Sequence, residues 1–318
     1  MGERLTFQWY DIERDPQGWD DRVAVMGENL FHRNAMLEAH QTGKAFRRGV
    51  LMRRGQHAVG LVGGLLLSGM GAASFQSLSF SRPRQELGRE LPAELGEWLL
   101  RQGVTRIDLG SYDGGVEGYG EGRVGTVTER FEFVYDLKRS EEERLRVANS
   151  NHRRKLKKSE REPMHLRRIE LGQALLMTRL NRSWARRKGE RYGFGRVMHT
   201  YLFYRRLTGR LGRDGSANLY GLYDTRGTIL SMAYMLERGG SSFYMIGASS
   251  NEGYERGAAV RLFWELARHY PRVGVQSMNF GGVPIGAREE SHQEHGVYRF
   301  KQGFGVEPVV RKSLTIGA

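Results

Sequence analysis

Phe300 and Lys301 stand side by side, and Gly303-Phe304-Gly305 follows at once, within a stretch reading GVYRFKQGFG from Gly296 to Gly305. A lysine held beside a glycine turn can present a compact cation to a phosphate, a carboxylate, or charge that develops in a transition state. Glycines let the backbone take positive φ and approach a ligand closely. The same spacing also fits a surface helix ended by a glycine, which would do no chemistry. A second group lies at Asn151–Arg161, NHRRKLKKSER, where Arg153, Arg154, Lys155, Lys157, Lys158 and Arg161 are basic and only Leu156 is apolar. Such a run suits a nucleic-acid backbone, and it equally suits a solvated helix face. His292 and His295, with Glu289, Glu290 and Glu294 nearby, have the residue types of a metal site. A solvated polar loop is the simpler reading, and no metal is expected. The chain has no cysteine, so disulfides, thiolate metal sites and a cysteine nucleophile are excluded.

These residues need a scaffold, and 318 residues suffice for two domains with a core each. A hydrophobic content of 39% with five tryptophans excludes a disordered chain. The formal net charge of +14 attracts polyanions such as nucleic acid, anionic lipid or phosphorylated substrates. The N-terminus, MGERLTFQWYDIERD, lacks the basic-then-apolar order of a secretion signal, so a cytoplasmic location is expected. Ala58 to Ser81 carries no charge, but glycines interrupt it. Two buried strands joined by a turn at Ser68–Gly71 fit it better than a transmembrane segment.

The pattern predicts strands at Leu5–Ile12, Ala45–Arg53, His57–Leu67, Ala72–Leu78, Val104–Leu109 and Phe131–Leu137. Helices are expected around Trp19–Met26, Arg33–His40 and from Pro92 onward. A glycine-rich loop spans Gly110–Gly125. Composition then shifts at the charged stretch from Ser140, which sets expected domains of 1–139 and 140–318. The order of elements repeats beyond it. A strand at Met164–Ile169 precedes helices at Gln173–Lys188 and Val197–Thr208. Three strands, a helix at Gly257–Tyr270 and a strand at Val275–Phe280 complete the second half. Helices, a meander, a helix and a strand in each half predict a duplicated α+β fold.

That order is also the order of the GNAT acyltransferase fold. There, a glycine loop opening the helix after the fourth strand binds the pyrophosphate of coenzyme A. The equivalent step here, Asn251–Ala259, keeps Gly257 and Ala259 but carries Tyr254, Glu252 and Glu255. More specifically, the chain resembles the FemABX aminoacyltransferases, which are two GNAT-like domains in tandem. The likeness rests on Asn149–Glu160, on MNFGG at Met278–Gly282, on the FK-x-GFG ending, and more weakly on LFHRNAMLEA at Leu30–Ala39. It implies transfer of an amino acid from aminoacyl-tRNA to an amine, on a peptidoglycan precursor or a peptide-like metabolite. On that resemblance, Lys301 and Phe300 would be catalytic. Tyr298, Gly303, Gly305, Asn279, Gly281 and Gly282 would bind substrate. Arg153, Arg154, Lys155, Lys157 and Lys158 would track tRNA phosphates. No resident cofactor is implied, since aminoacyl-tRNA is a co-substrate. The alternative is an acyl-CoA-dependent N-acyltransferase working through Gly257–Ala259.

Overall fold

In the computed structural model, a strand of alternating burial, β1 (Leu5–Asp11), opens the chain. The structure describes residues 4–317 apart from 27–28, 70–71, 78–90, 114–124, 171–173, 188, 190–192 and 213–214. Most of the Gly110–Gly125 loop therefore lies outside the described residues, as does part of the turn expected at Ser68–Gly71. Two compact units are present: Met1–Phe131 with Val310–Ala318, and Glu132–Val309.

In the first unit, α1 (Pro16–Val25) and α2 (Asn34–His40) follow β1, with Asp15 capping α1 through the Gly18 amide. Three strands come next, β2 (Ala45–Arg54), β3 (His57–Gly69) and β4 (Ala72–Ser77). Pairing is antiparallel along β1-β2-β3-β4. The uncharged stretch from Ala58 is thus two paired strands. A crossover through α3 (Leu91–Arg101) then sets β5 (Val104–Leu109) parallel to β4. Leu95 and Leu99 of α3 are fully buried against Val50, Val62, Phe75 and Ile107. A second cluster, with Trp19, Val23 and Leu37, packs α1 and α2 onto Leu51 and Leu61 of the same sheet. Helices on both faces explain why β3 reads as a near-continuous apolar run, beside the buried Val50–Met52 segment of β2.

The second unit repeats this plan. The long strand β6 (Thr126–Asp136), whose residues up to Phe131 belong to the first unit, leads into α4 (Glu141–Val147), opened by a capping box between Ser140 and Glu143. Next come α5 (Ser150–Glu160), β7 (Met164–Ile169), α6 (Ala174–Arg187) and α7 (Phe194–Leu211). The strands β8 (Ala217–Asp224), β9 (Ile229–Arg238) and β10 (Ser241–Ser249) form a meander, with β7 antiparallel at its edge. After α8 (Asn251–Glu255) and α9 (Ala258–His269), β11 (Ser277–Pro284) lies parallel to β10. The chain closes with α10 (His295–Gln302) and β12 (Pro308–Ile316).

Both units therefore contain four antiparallel strands followed by a parallel fifth reached through a helix, which is the expected α+β duplication. In each, the strand preceding the helix pair joins the meander as its edge. The contacts divide the chain at Phe131/Glu132, inside β6, ahead of the composition shift at Ser140. The C-terminal segment also departs from the expected 140–318 domain. Leu314, Thr315 and Ile316 pair with Leu109, Asp108 and Ile107, so β12 completes the sheet of the first unit. No helix among the described residues is long and apolar enough to cross a membrane.

Candidate functional site

Two of the sequence motifs meet within the second unit, and glycines set the fit between them. The Asn149 amide donates to the Gly303 carbonyl at 2.9 Å, and the Asn149 side chain caps α5 through the His152 amide at 2.8 Å. A Cβ on Gly303 would lie 2.3 Å from the His152 ring. Gly305 has φ +75°, and a Cβ there would lie 2.5 Å from the Val147 carbonyl oxygen. The close approach that these glycines permit is to the α4–α5 elbow of the chain itself.

Phe300 and Lys301 leave α10 in different directions. Phe300 joins an aromatic cluster with His152 (5.6 Å), Phe304 (5.5 Å) and Phe263 of α9 (5.9 Å). Phe280 of β11 and Tyr244 of β10 extend it through Phe263, at 5.2 and 4.9 Å. His152 is enclosed by Phe300, Phe304 and Gly303. Burial, assisted by the Lys155 charge, holds its pKa down to about 4, and the Phe300 backbone offsets only part of this. Burial likewise pushes the Tyr244 phenol well above its ordinary value.

Lys301 is 5% exposed, and its Nζ donates to the Gly282 carbonyl at 2.9 Å. The ammonium points at the end of β11 and not at the Gly303–Gly305 turn, so the turn does not display it as an open point charge. Nearby, Asn279 is buried between two tasks. Its amide donates to Glu132 Oε2 at 3.1 Å, and its oxygen accepts from the Gly281 amide at 2.8 Å. Tyr298 is buried edge-on to Phe133 at 5.6 Å. Asn279, Gly281, Gly282 and Lys301 are therefore one connected group, with Gly281 and Gly282 held at opposite peptide atoms. The group sits where the strands part. Parallel pairing stops at Phe243↔Asn279, and β10 bulges between Tyr244 and Ile246.

The basic run is helical as expected, but its cations divide by task. Arg154, Lys157 and Lys158 are exposed, and the Arg154 guanidinium reaches only Asn151, 3.2 Å away on the same helix. Arg153 is exposed as well, and its guanidinium donates to the Arg146 and Ala148 carbonyls at the C-terminal end of α4. The stem of Lys155 lies over Gly257, whose left-handed conformation starts α9. At that step Arg256 pairs with Glu162 (2.6 Å) and Glu252 (2.9 Å), so the Glu252 charge there is already paired. His292 and His295 serve local turns through the Glu294 amide and the Ala287 carbonyl. Among the described residues no three His, Cys, Asp or Glu side chains gather as metal ligands.

Sequence reasoning missed Glu132 and His152. A lone carboxylate amid Phe131, Phe133, Val134 and Tyr135 was the available signal for Glu132, which is fully buried. His152 was hidden among arginines and lysines.

Residues 146–302 match a family model described as "Acetyltransferase (GNAT) domain", a span inside the second unit. Among solved structures, FemX is similar with TM-score 0.71 and 13% identity, covering 96% of each chain. A tandem GNAT protein from the clavulanic acid biosynthesis pathway is similar at TM-score 0.50 and 15% identity, covering 98% of this chain and 97% of that one. The C-terminal domain of a putative lysylphosphatidylglycerol synthetase from Agrobacterium fabrum gives 0.54 at 12% identity, covering 96% and 93%. At such identities the likeness is one of fold. No curated protein sequence matches the chain. Fold and family match together define a GNAT-type acyltransferase scaffold and support a transferase.

Proposed function

We propose that the protein is an aminoacyltransferase. It would move an amino acid from aminoacyl-tRNA to an amine on a peptidoglycan precursor or a peptide-like metabolite. The observation that carries this reading is the joining of α5 to the FK-x-GFG segment through Asn149–Gly303 and His152–Gly303. It ties an exposed cationic helix face to the glycine end of β11, where the sheet opens. In this reading the acceptor amine attacks the ester carbonyl, the new C–N bond forms as the C–O bond breaks, and the amine proton passes to the departing ribose hydroxyl. The enzyme supplies position and charge, without a covalent intermediate. Arg154, Lys157 and Lys158 meet tRNA phosphates. Lys301 and Asn279 hold the Gly281–Gly282 peptides from behind, and Phe300 and Tyr298 pack the wall of the site.

A specific observation favours a second reading. The Lys155 stem over Gly257 brings a cation to the start of α9, as an acyl-CoA-dependent N-acyltransferase would use for pyrophosphate. Purified protein incubated with radiolabelled aminoacyl-tRNA, or with labelled acetyl-CoA, and a panel of amines separates the two. Label transferred from aminoacyl-tRNA is expected. Transfer from acetyl-CoA alone would refute the leading proposal in favour of the second.

A further inference from the structure

The helix pair α6–α7 contains eight arginines, at 179, 182, 186, 187, 196, 205, 206 and 210, and no aspartate or glutamate. Both helices cover one face of the second unit's sheet: α6 packs on β10, α7 packs on β8, and the two touch each other. Their inner faces are clear from burial. Met177, Leu180 and Ala185 of α6 are buried, as are Tyr204, Leu207 and Leu211 of α7, with Tyr204 against Tyr234 of β9 at 5.4 Å. The outer faces therefore look away from the same side of the sheet. On α6 that face carries Arg179, Arg182 and Arg186, all exposed and at helical spacing. On α7 it carries Phe194, Met198 and Leu202, exposed by 78, 39 and 37% and spaced by four, with exposed Arg205 and Arg206 on the following turn.

An aromatic side chain with 78% of its surface in water gains nothing from the fold. A solvated cationic face has no need of an apolar stripe, and a surface that only tracks nucleic-acid phosphates needs none either. An element lying in the plane of an anionic bilayer needs both. Its apolar residues enter the boundary between headgroups and acyl chains, and flanking basic residues meet lipid phosphates. Arginine suits the second task because its planar guanidinium binds phosphate oxygens in pairs. The absence of acidic residues on both helices removes the repulsion that such a surface would otherwise meet. We infer that the outer face of α6–α7 docks the protein on an anionic lipid bilayer. Phe194, Met198 and Leu202 insert at the headgroup level, and Arg179, Arg182, Arg186, Arg205 and Arg206 bind lipid phosphates. The inference is independent of which acyl donor the protein uses.

The test is flotation of the full chain with vesicles of phosphatidylcholine alone, and of phosphatidylcholine mixed equally with phosphatidylglycerol. Partition onto the anionic vesicles only is expected. Changing Phe194, Met198 and Leu202 together to Ser should weaken partition by at least about tenfold without lowering the melting temperature. Changing Arg179, Arg182 and Arg186 to Ala should weaken it by about a hundredfold, at roughly fivefold per basic residue. Phe194→Trp should gain fluorescence that shifts to the blue on anionic vesicles and is quenched by brominated acyl chains. Three results would each overturn the inference: no partition of the wild-type chain, undiminished partition of the Ser variant, or Phe194→Trp emission indifferent to vesicles. A fourth would identify the face as an RNA surface instead: the arginine variant loses tRNA affinity while its vesicle partition is unchanged.

Discussion

His152 offers a direct test of the packing between α5 and the FK-x-GFG segment. Its ring is 2% exposed, edge-on to Phe304 at 4.6 Å, and its pKa is depressed from 6.5 to about 4, chiefly by burial. The unfolded chain then binds more protons than the folded one between these values. The stabilising contribution of the neutral ring is fully present above about pH 6.5 and is lost as pH falls toward 4. Working the linkage between those two pKa values gives a loss of about 2 kcal/mol on going from pH 7 to pH 5. For a unit of this size that corresponds to about 4–8 °C in melting temperature. The perturbation is His152→Leu, which keeps much of the volume and cannot titrate. Calorimetric melting of both proteins at half-unit steps from pH 7.5 to 5 should show the variant gaining on the wild type by that amount at the acid end. His32, which burial also holds at about 4, titrates in both proteins and cancels in the difference. A difference that stays flat with pH would mean that the ring can take a proton without leaving its site, and the enclosed packing described here would be wrong.

Gly303→Ala and Gly305→Ala should each destabilise by roughly 2 kcal/mol or more, since the first meets the His152 ring and the second adds a left-handed φ to a clash with the Val147 carbonyl. Equilibrium denaturation measures this, and near-wild-type stability would refute the close packing at both glycines. Arg153→Ala should cost about 1–2 kcal/mol of stability through the uncovered Arg146 and Ala148 carbonyls. Arg154→Ala with Lys157→Ala should instead leave melting unchanged and lower the salt slope of tRNA binding by about one unit per lost phosphate contact, read by filter binding across a salt titration. Lys301→Met keeps the volume and removes the bond to the Gly282 carbonyl. It should melt lower by the equivalent of about 1–3 kcal/mol and lose about a hundredfold in aminoacyl transfer, and wild-type turnover would remove Lys301 from the site.

Sequence periodicity was a good guide where burial repeats at short range. Val104–Leu109 and Met164–Ile169 match their strands to the residue, and the helices over Gln173–Lys188 and Val197–Thr208 differ only at their ends. It failed where a partner is distant. Pro308–Ile316 escapes it although Val309, Val310, Thr315 and Ile316 are β-branched, because Arg311-Lys312-Ser313 breaks the apolar alternation and the pairing with β5 is set by residues near 108. At the site, residue types were legible and directions were not. FK-x-GFG names a cation and a turn, but only the rotation of α10 decides that Phe300 meets His152 while Lys301 meets Gly282. In the basic run, Arg153 and Arg154 are neighbours of one type, and a helix sends adjacent residues about 100° apart, so one reaches the α4 carbonyls and the other Asn151 of its own helix.

The closing strand of the first unit has a consequence for synthesis. Thr315 hydrogen-bonds Asp108 across 207 positions of chain, with the whole second unit between them. At about 5–20 residues per second, the ribosome leaves that edge of β5 without β12 for roughly 10–40 s. The first unit, though made first, finishes last. Until then its open strand edge is available to other nascent chains, and a fusion or tag joined after Ile316 would delay the pairing that covers it.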